Sequence, residues 1–412
     1  MSGGMSDLSR RKFIYKSLGC LAGASLAGVA PGLALAQQPA KEDKKEEPKK
    51  SGVVIYRTLG RTGMSVPIVS MGVMNSNNPE VVAASYELGV RHFDTAASYA
   101  YGRNEQMVGE VIKRLGVRDK VLIATKVFGG GQRTGLTGKQ AADKLVSLTE
   151  GSLVRLKTDH VDILYIHSVS NPDELANEGW LEGIRRLKEQ GKIRAAGVST
   201  HQNMAGVINR LAEVGTYDVV LTSINATMAS DADLLAAIKG AAEKGVGIVA
   251  MKTQAGGQRM PNPETRQQYS NSTVNTALLK WVMRNENIHT SIPGYDNFEH
   301  MKEDFSVATN LEYTEDEAGF LSDNSIELSL GFCRQCKGCL ASCPKNTDIP
   351  TLMRTHMYAA QYANFHHARQ TLDEISVGRG LTGCASCSEC TAKCVNAVDI
   401  PRRIGELKAM YA

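Results

Sequence analysis

VDILYIHS, residues 161–168, is a short apolar run closing on a histidine, and it is one of eight of its kind. Before it come IVSMG (68–72), RHFDTA (91–96) and VLIATKV (121–127). After it come IRAAGVST (193–200), VVLTSIN (219–225), VGIVAMKT (246–253) and HTSIPG (289–294). Each reads as a strand, and longer amphipathic stretches lie between them. Two of these are NEQMVGEVIKRLG (104–116) and LLAAIKGAAEKG (234–245), the second ending on Gly245 as a helix C-cap does. Eight strands, each followed by a helix, predict a (β/α)8 TIM barrel over residues 53–311. A doubly wound open sheet is the competing fold, but it announces itself with a Gly-rich turn after its first strand, and none is present.

In such a barrel the reactive groups sit at the C-terminal ends of the strands. Those ends offer Asp94, Lys126 and His167, with Tyr99 on the loop five residues past Asp94. Alone, each is more often a packed or paired group than a catalyst; four proton-handling residues on one rim suit a general acid. Tyrosine titrates near pH ~10 in water, so donation at neutral pH calls for a neighbouring cation. Lys126 is placed to supply that charge and Asp94 to hold the lysine.

These residues carry a family resemblance over about residues 56–311. The entry YRTLGRTGMSVPIVSMG (56–72), the stretch GVRHFDTAASY (89–99) followed by Asn104-Glu105, IATKV (123–127) and DILYIHS (162–168) resemble the aldo/keto reductases. The resemblance implies an oxidoreductase interconverting a carbonyl and an alcohol. Tyr99 would be the proton donor, Lys126 and Asp94 its tuners, and His167 the residue orienting the carbonyl oxygen; Tyr101 in YAYG is a decoy. It also implies NAD or NADP. The positions matching the family's nicotinamide and adenosine contacts are Ser199, Asn225, Gly294 and Asp304. Two of the family's features are altered here: Leu221 stands where a glutamine is frequent, and SIPGYDNFEHMKEDF (291–305) lacks the cations that would pair a 2′-phosphate.

Eight of the nine cysteines lie after residue 330, while the ninth is Cys20. CRQCKGCLASCP (333–344) sets Cys333, Cys336, Cys339 and Cys343 at spacings of three, three and four, with proline behind the last. Cys384, Cys387, Cys390 and Cys394 repeat the pattern, and Asp348-Ile349-Pro350 recurs as Asp399-Ile400-Pro401. Each half reads as a loop leading into a helix that starts at its proline. Structural zinc prefers two separated cysteine pairs, and cysteines three apart on a tight loop are badly placed to bridge one another. The spacing resembles that of two-cluster ferredoxins, in which the fourth thiolate of each run crosses to the other [4Fe–4S] cluster. By that resemblance Cys333, Cys336, Cys339 and Cys394 hold one cluster, and Cys384, Cys387, Cys390 and Cys343 the other. The helical connection THMYAAQYANFHHARQTLDEI (355–375) makes 312–412 similar to the α-helical ferredoxin domain of succinate dehydrogenase iron–sulfur subunits. His356, His366 and His367, within it, are expected as exposed polar positions.

The chain opens with SRRKFIY (9–15), a Gly- and Ala-rich apolar run and Ala34-Leu35-Ala36 before Gln37. This is a signal peptide over 1–36, and its Arg10-Arg11 pair resembles the twin-arginine signal, which implies export of a folded, cofactor-loaded protein through that translocation machinery to the periplasm or beyond. The run is too weakly apolar for a stable membrane span. KEDKKEEPKKSG (41–52) belongs to a charged, disordered linker over 37–52. A net charge of +4 with no basic stripe points to neither nucleic acid nor a membrane surface as a partner.

Carbonyl reduction takes two electrons and a proton, and two one-electron clusters could carry the electrons. The expected enzyme therefore holds a nicotinamide tightly, recycles it through the clusters, and meets a redox partner protein or small electron carrier. Two other readings stand beside it: an ordinary NAD(P)H-dependent reductase with structural clusters, and an electron-transfer protein using an inactive barrel as a scaffold. The loops GGGQRTGLTG (129–138) and TQAGGQRMPNPETRQQYSNS (253–272) do not name a substrate.

Overall fold

A computed structural model describes residues 52–129, 135–256, 268–323 and 331–411. The expected signal peptide and all of the linker but Gly52 lie outside the described residues, as do the middles of the two loops just quoted.

Eight parallel strands stand where the eight runs place them: β3 (Met71–Gly72), β4 (His92–Asp94), β5 (Leu122–Val127), β6 (Val161–Ile166), β7 (Ile193–Thr200), β8 (Val219–Ser223), β9 (Gly247–Met251) and β10 (Thr290–Ser291). They pair in chain order. Parallel bridges Val69↔Ser291 and Gly72↔Gly294 bring the last strand back to the first, which closes the barrel. A preceding antiparallel hairpin, β1 (Tyr56–Thr58) and β2 (Ser65–Pro67), lays Leu59, Met64 and Val66 against the barrel interior.

The run 161–168 shows why these strands read as continuous apolar segments. Ile163 and Tyr165 face the interior with Ala124, Leu221 and Val249. Leu164 and Ile166 face outward into the layer under the helices, with Trp180, Ile184 and Leu187. Both faces are buried, so apolar and polar residues do not alternate. Each such side chain contributes roughly 1.5–3 kcal/mol by leaving water.

A helix follows every strand, from Pro79–Leu88 after β3 to Phe298–Ser306 after β10. Two glycines set close approaches. At Gly197 on β7 a Cβ would lie 2.3 Å from the Val219 carbonyl oxygen, and at Gly109 it would lie 2.4 Å from that of Leu156, where helix Arg103–Leu115 crosses helix Gly138–Leu156.

The C-terminal segment is helical and belongs to the same compact unit, residues 51–412. Helix Ile349–His356 starts on an Asp348 cap with Pro350 in its first turn; helix Ile400–Tyr411 repeats the arrangement with Asp399 and Pro401. Between them lie a π-helical turn, Met357–Gln361, and helix Phe365–Leu372. Ile349, Leu352, Met353, Ile400, Ile404 and Leu407 form a core of their own around Cys339 and Cys384. No helix among the described residues is long and apolar enough to cross a membrane.

Candidate active site

Four barrel residues converge on the rim as the strand ends foretell. Asp94 ends β4, Lys126 lies on β5, His167 follows β6, and Tyr99 begins the turn Tyr99–Gly102. That turn is strained: Ala100 and Tyr101 both take positive φ, 48° and 55°. Its closing glycine, Gly102, has φ 83°, and a Cβ there would lie 2.7 Å from Arg155 Cδ. The strain turns Tyr99 inward and leaves Tyr101 exposed, its ring 4.0 Å from that of His366.

The Lys126 ammonium donates to Asp94, to the Thr95 carbonyl at 2.8 Å and to the Tyr99 hydroxyl at 3.3 Å. Burial pushes the Asp94 carboxyl up and the Lys126 ammonium down, and the ion pair between them opposes both shifts. Tyr99 differs from expectation. Burial, reinforced by Asp94, raises its pKa well above the ordinary value, so the lysine does not make it acidic. Tyr99 therefore keeps its proton until a stronger base arrives. Behind the pair, Glu105 accepts from Thr125 and Arg155, and Asn104 accepts from Thr95, which fixes the strand ends on which Asp94 and Lys126 stand.

The His167 ring meets Tyr99 edge-on at 6.1 Å and stacks on Phe128 at 5.1 Å. The C-terminal segment brings a second imidazole. His367, expected on an exposed face, is buried with its ring 5.5 Å from Tyr99 and 4.4 Å from Tyr358. His356 is buried as well, bonded to Glu406. The causes differ. His367, on helix Phe365–Leu372, belongs to a stretch laid across the barrel mouth, where Gln202 donates to Thr351 and Asn364 to Asn75. His356 instead ends helix Ile349–His356 and packs against Glu406 of helix Ile400–Tyr411. Burial, then Lys252, lowers the pKa of His367 to about 3, so it is neutral at physiological pH.

A cavity of about 850 Å³ opens beside Tyr99 and Asp94, within the size range of dinucleotide and drug-sized ligands. Gly294 lines it, where a Cβ would make only ordinary contact with the Gly72 carbonyl oxygen at 3.8 Å and Asn75 Nδ2 at 3.9 Å, while Gln361, Tyr362 and Ala363 of the C-terminal segment form part of its wall. Of the other residues expected at the nicotinamide, Ser199 is buried and accepts from the Ser168 amide. Asp304 accepts from Gln254, which lines the cavity. Asn225 donates to the Lys252 carbonyl and accepts from Thr227. Lys252 itself went unnoticed in the sequence, although it is the penultimate residue of VGIVAMKT. Its backbone has φ 60° and its ammonium lies 4.6 Å from the Tyr358 ring and 5.0 Å from the Tyr362 ring. Burial, then Arg354 and Lys126, lowers its pKa to about 7, against the pull of Asp94.

All eight described cysteines are free thiols. A cavity of about 220 Å³ is lined by Cys343, Cys384, Cys387 and Cys390, a crossed set with one thiol from the first run and three from the second. Cys333, after the effect of burial and a backbone bond, feels Cys394, Cys339 and Cys336. Amide groups face this second group: Gln335 donates to Cys333 Sγ at 3.3 Å and the Asn396 backbone to Cys394 Sγ at 3.3 Å. Thiols gathered from both runs in this way fit iron–sulfur ligation.

Comparison with known proteins agrees with this geometry. The aldo/keto reductase family model matches residues 64–274, just over half of the chain, and a 4Fe-4S dicluster domain matches residues 332–399. Aldo-keto reductase YhdN of Bacillus subtilis is 31% identical over 35% of this chain and 46% of its own length, so the chain spans about half of that relative. L-galactose dehydrogenase of Arabidopsis thaliana is 26% identical over 62% of this chain and 88% of its own length. Among solved structures, an aldo-keto reductase from Bacillus halodurans in its holo form superposes with a TM-score of 0.54 at 21% identity, covering 65% of this chain and 95% of that one. An aldo/keto reductase from Klebsiella pneumoniae, solved with NADP and acetate, gives 0.51 at 23%, covering 65% and 93%. With the family model laid over the barrel whose rim carries Asp94, Tyr99, Lys126 and His167, this chain belongs to the aldo/keto reductase family.

Proposed function

We propose that the protein is an exported oxidoreductase that interconverts a small-molecule carbonyl and its alcohol, with Tyr99 as general acid and base. The observation that carries this reading is the Lys126 ammonium shared between Asp94 and the Tyr99 hydroxyl, with His167 at the edge of the same phenol. A nicotinamide in the large cavity would supply hydride, and two [4Fe–4S] clusters in the thiol quartets would supply one-electron storage and transfer. The Klebsiella relative's NADP supports the first; the dicluster match supports the second.

The chain's own residues do the rest. His167 orients the carbonyl oxygen toward Tyr99, and Phe128 stacks on the imidazole to keep it in place. Tyr99 gives its proton to the oxygen as negative charge develops there; an alkoxide is a far stronger base than a phenolate, so a raised pKa does not prevent the transfer. Lys126 then stabilises the phenolate left behind, and Asp94 holds the lysine in position. In the oxidative direction Tyr99 takes the proton back. His367, Tyr358 and Tyr362 keep water from this centre. The wall contributed by the C-terminal segment suits a nicotinamide that stays bound, as an exported protein would need, with a redox partner protein or small carrier exchanging electrons at the clusters. The Arg10-Arg11 signal supports passage through the twin-arginine machinery and a periplasmic or otherwise exported location.

The test is turnover of a panel of small carbonyls and alcohols by the cluster-loaded mature protein, beside its Tyr99→Phe variant. Loss of turnover with unchanged cluster absorbance supports the reading. Retained turnover overturns the assignment of Tyr99.

A further inference from the structure

Near Tyr99 at the barrel mouth, Lys252 is a cation with no ion pair among the described residues, although Asp94 attracts it. Three buried or largely buried cations meet there: Lys126, Lys252 and Arg354. Lys126 is paired with Asp94 and Arg354 with Glu374. The Lys252 ammonium has no hydrogen bond or ion pair among the described residues; its contacts are the faces of Tyr358 and Tyr362. Two aromatic faces attract an ammonium, but they do not replace a counter-ion for a charge removed from water. The backbone is held against its preference to keep the group there, with φ 60° and the carbonyl bonded by Asn225. A positive φ costs free energy in a residue with a side chain, and such strain tends to collect at ligand sites.

Lys252 lines the same cavity as Tyr99 and Asp94. Its path to the reacting centre is short: the ammonium sits over Tyr358, Tyr358 packs on His367, and His367 meets Tyr99. The geometry points to Lys252 as the anchor for a carboxylate carried by the substrate, which makes the substrate class a small oxo acid or its hydroxy acid. This inference rests on the carbonyl–alcohol reading above. Tyr358 and Tyr362 fix the ammonium, so the iron–sulfur segment takes part in choosing the substrate of the barrel. The competing source of an anionic group is the phosphate of a bound nucleotide, and the experiment separates the two.

Oxamate, an unreactive oxo-acid mimic, and inorganic pyrophosphate are titrated calorimetrically into the cluster-loaded mature protein, its Lys252→Gln and Lys252→Arg variants, and Tyr99→Phe. The expected result is oxamate binding that weakens at least about tenfold in Lys252→Gln, about 1.4 kcal/mol, and is largely retained in Lys252→Arg, with pyrophosphate affinity unchanged. Oxamate affinity equal in wild type and Lys252→Gln, or no oxamate binding to wild type, overturns the inference. So does a loss confined to pyrophosphate, which would make Lys252 a phosphate contact. A second measurement needs no variant to fold: reductive methylation of wild type, read by mass spectrometry, should label Lys252, and oxamate but not pyrophosphate should protect it; labelling indifferent to oxamate overturns the inference. Tyr99→Phe keeps the two readings apart. Oxamate binding there with no carbonyl turnover in wild type would remove the catalytic reading and leave the carboxylate site standing.

Discussion

The His367 imidazole meets the Tyr99 phenol edge-on, with ring centroids 5.5 Å apart and planes at 89°. One residue comes from the barrel rim and the other from the iron–sulfur segment, so the phenol proposed as the proton donor is packed between two domains of unrelated chemistry. His367→Ala should therefore lower kcat/KM by about ten- to a hundredfold, since loss of positioning around a reacting group costs on that order. Cluster absorbance should not change. Steady-state kinetics of the variant checks this, and unaltered kcat/KM would reduce His367 to packing.

Burial of neutral His367 also has a pH signature. Its folded pKa, about 3, lies below the ordinary 6.5, so between those values the unfolded chain binds more protons than the folded one. The contribution to stability is complete above pH ~6.5 and is lost as pH falls toward 3, by at most about 1.4 kcal/mol per pH unit for one proton. Chemical denaturation at pH 7 and pH 5.5 should show a smaller acid loss in His367→Phe than in wild type. Equal losses would show that this imidazole is not the group responsible.

Lys126→Met should be costly in two ways. It leaves Asp94, 1% exposed, as an uncompensated buried acid, which typically destabilises by about 3–5 kcal/mol. It also removes the cation that stabilises the phenolate, so kcat should fall by two or more orders of magnitude. Thermal melting together with pre-steady-state turnover separates the effects. A stable variant with normal turnover would contradict the role given to the pair.

The thiol quartets make paired predictions. Cys394→Ser should disturb the cluster held with Cys333, Cys336 and Cys339, and Cys343→Ser the one held with Cys384, Cys387 and Cys390. Electron paramagnetic resonance of the reduced variants reads this directly. If each variant disturbs the cluster of its own run, the crossed sharing is wrong.

Much of this architecture was legible in the sequence because it rests on local signals. The eight runs fall on the eight strands since a strand buried on both faces writes itself as an unbroken apolar segment, and Asp94, Lys126 and His167 were visible as polar residues closing such segments. The mixed cysteine cavity was legible as what the resemblance to two-cluster ferredoxins implies. What could not be read was long-range. No periodicity in residues 355–375 says that His367 meets the barrel mouth or that His356 meets helix Ile400–Tyr411, so both look like exposed polar residues until the chain is folded around them. Lys252 hid for the same reason, because its meaning comes from Tyr358 and Tyr362. The raised pKa of Tyr99 comes from its burial and then from Asp94, and burial is not visible in a list of sequence neighbours.

Gln361, Tyr362 and Ala363 wall the large cavity, and in the chain they lie between the two cysteine runs. The barrel is synthesised first, yet its cavity remains unfinished until the last stretch of chain has left the ribosome and folded back. Order of synthesis thus becomes a checkpoint on maturation. A chain whose cysteine-bearing segment has not folded back would present an open vessel, and whatever it had taken up could drain away.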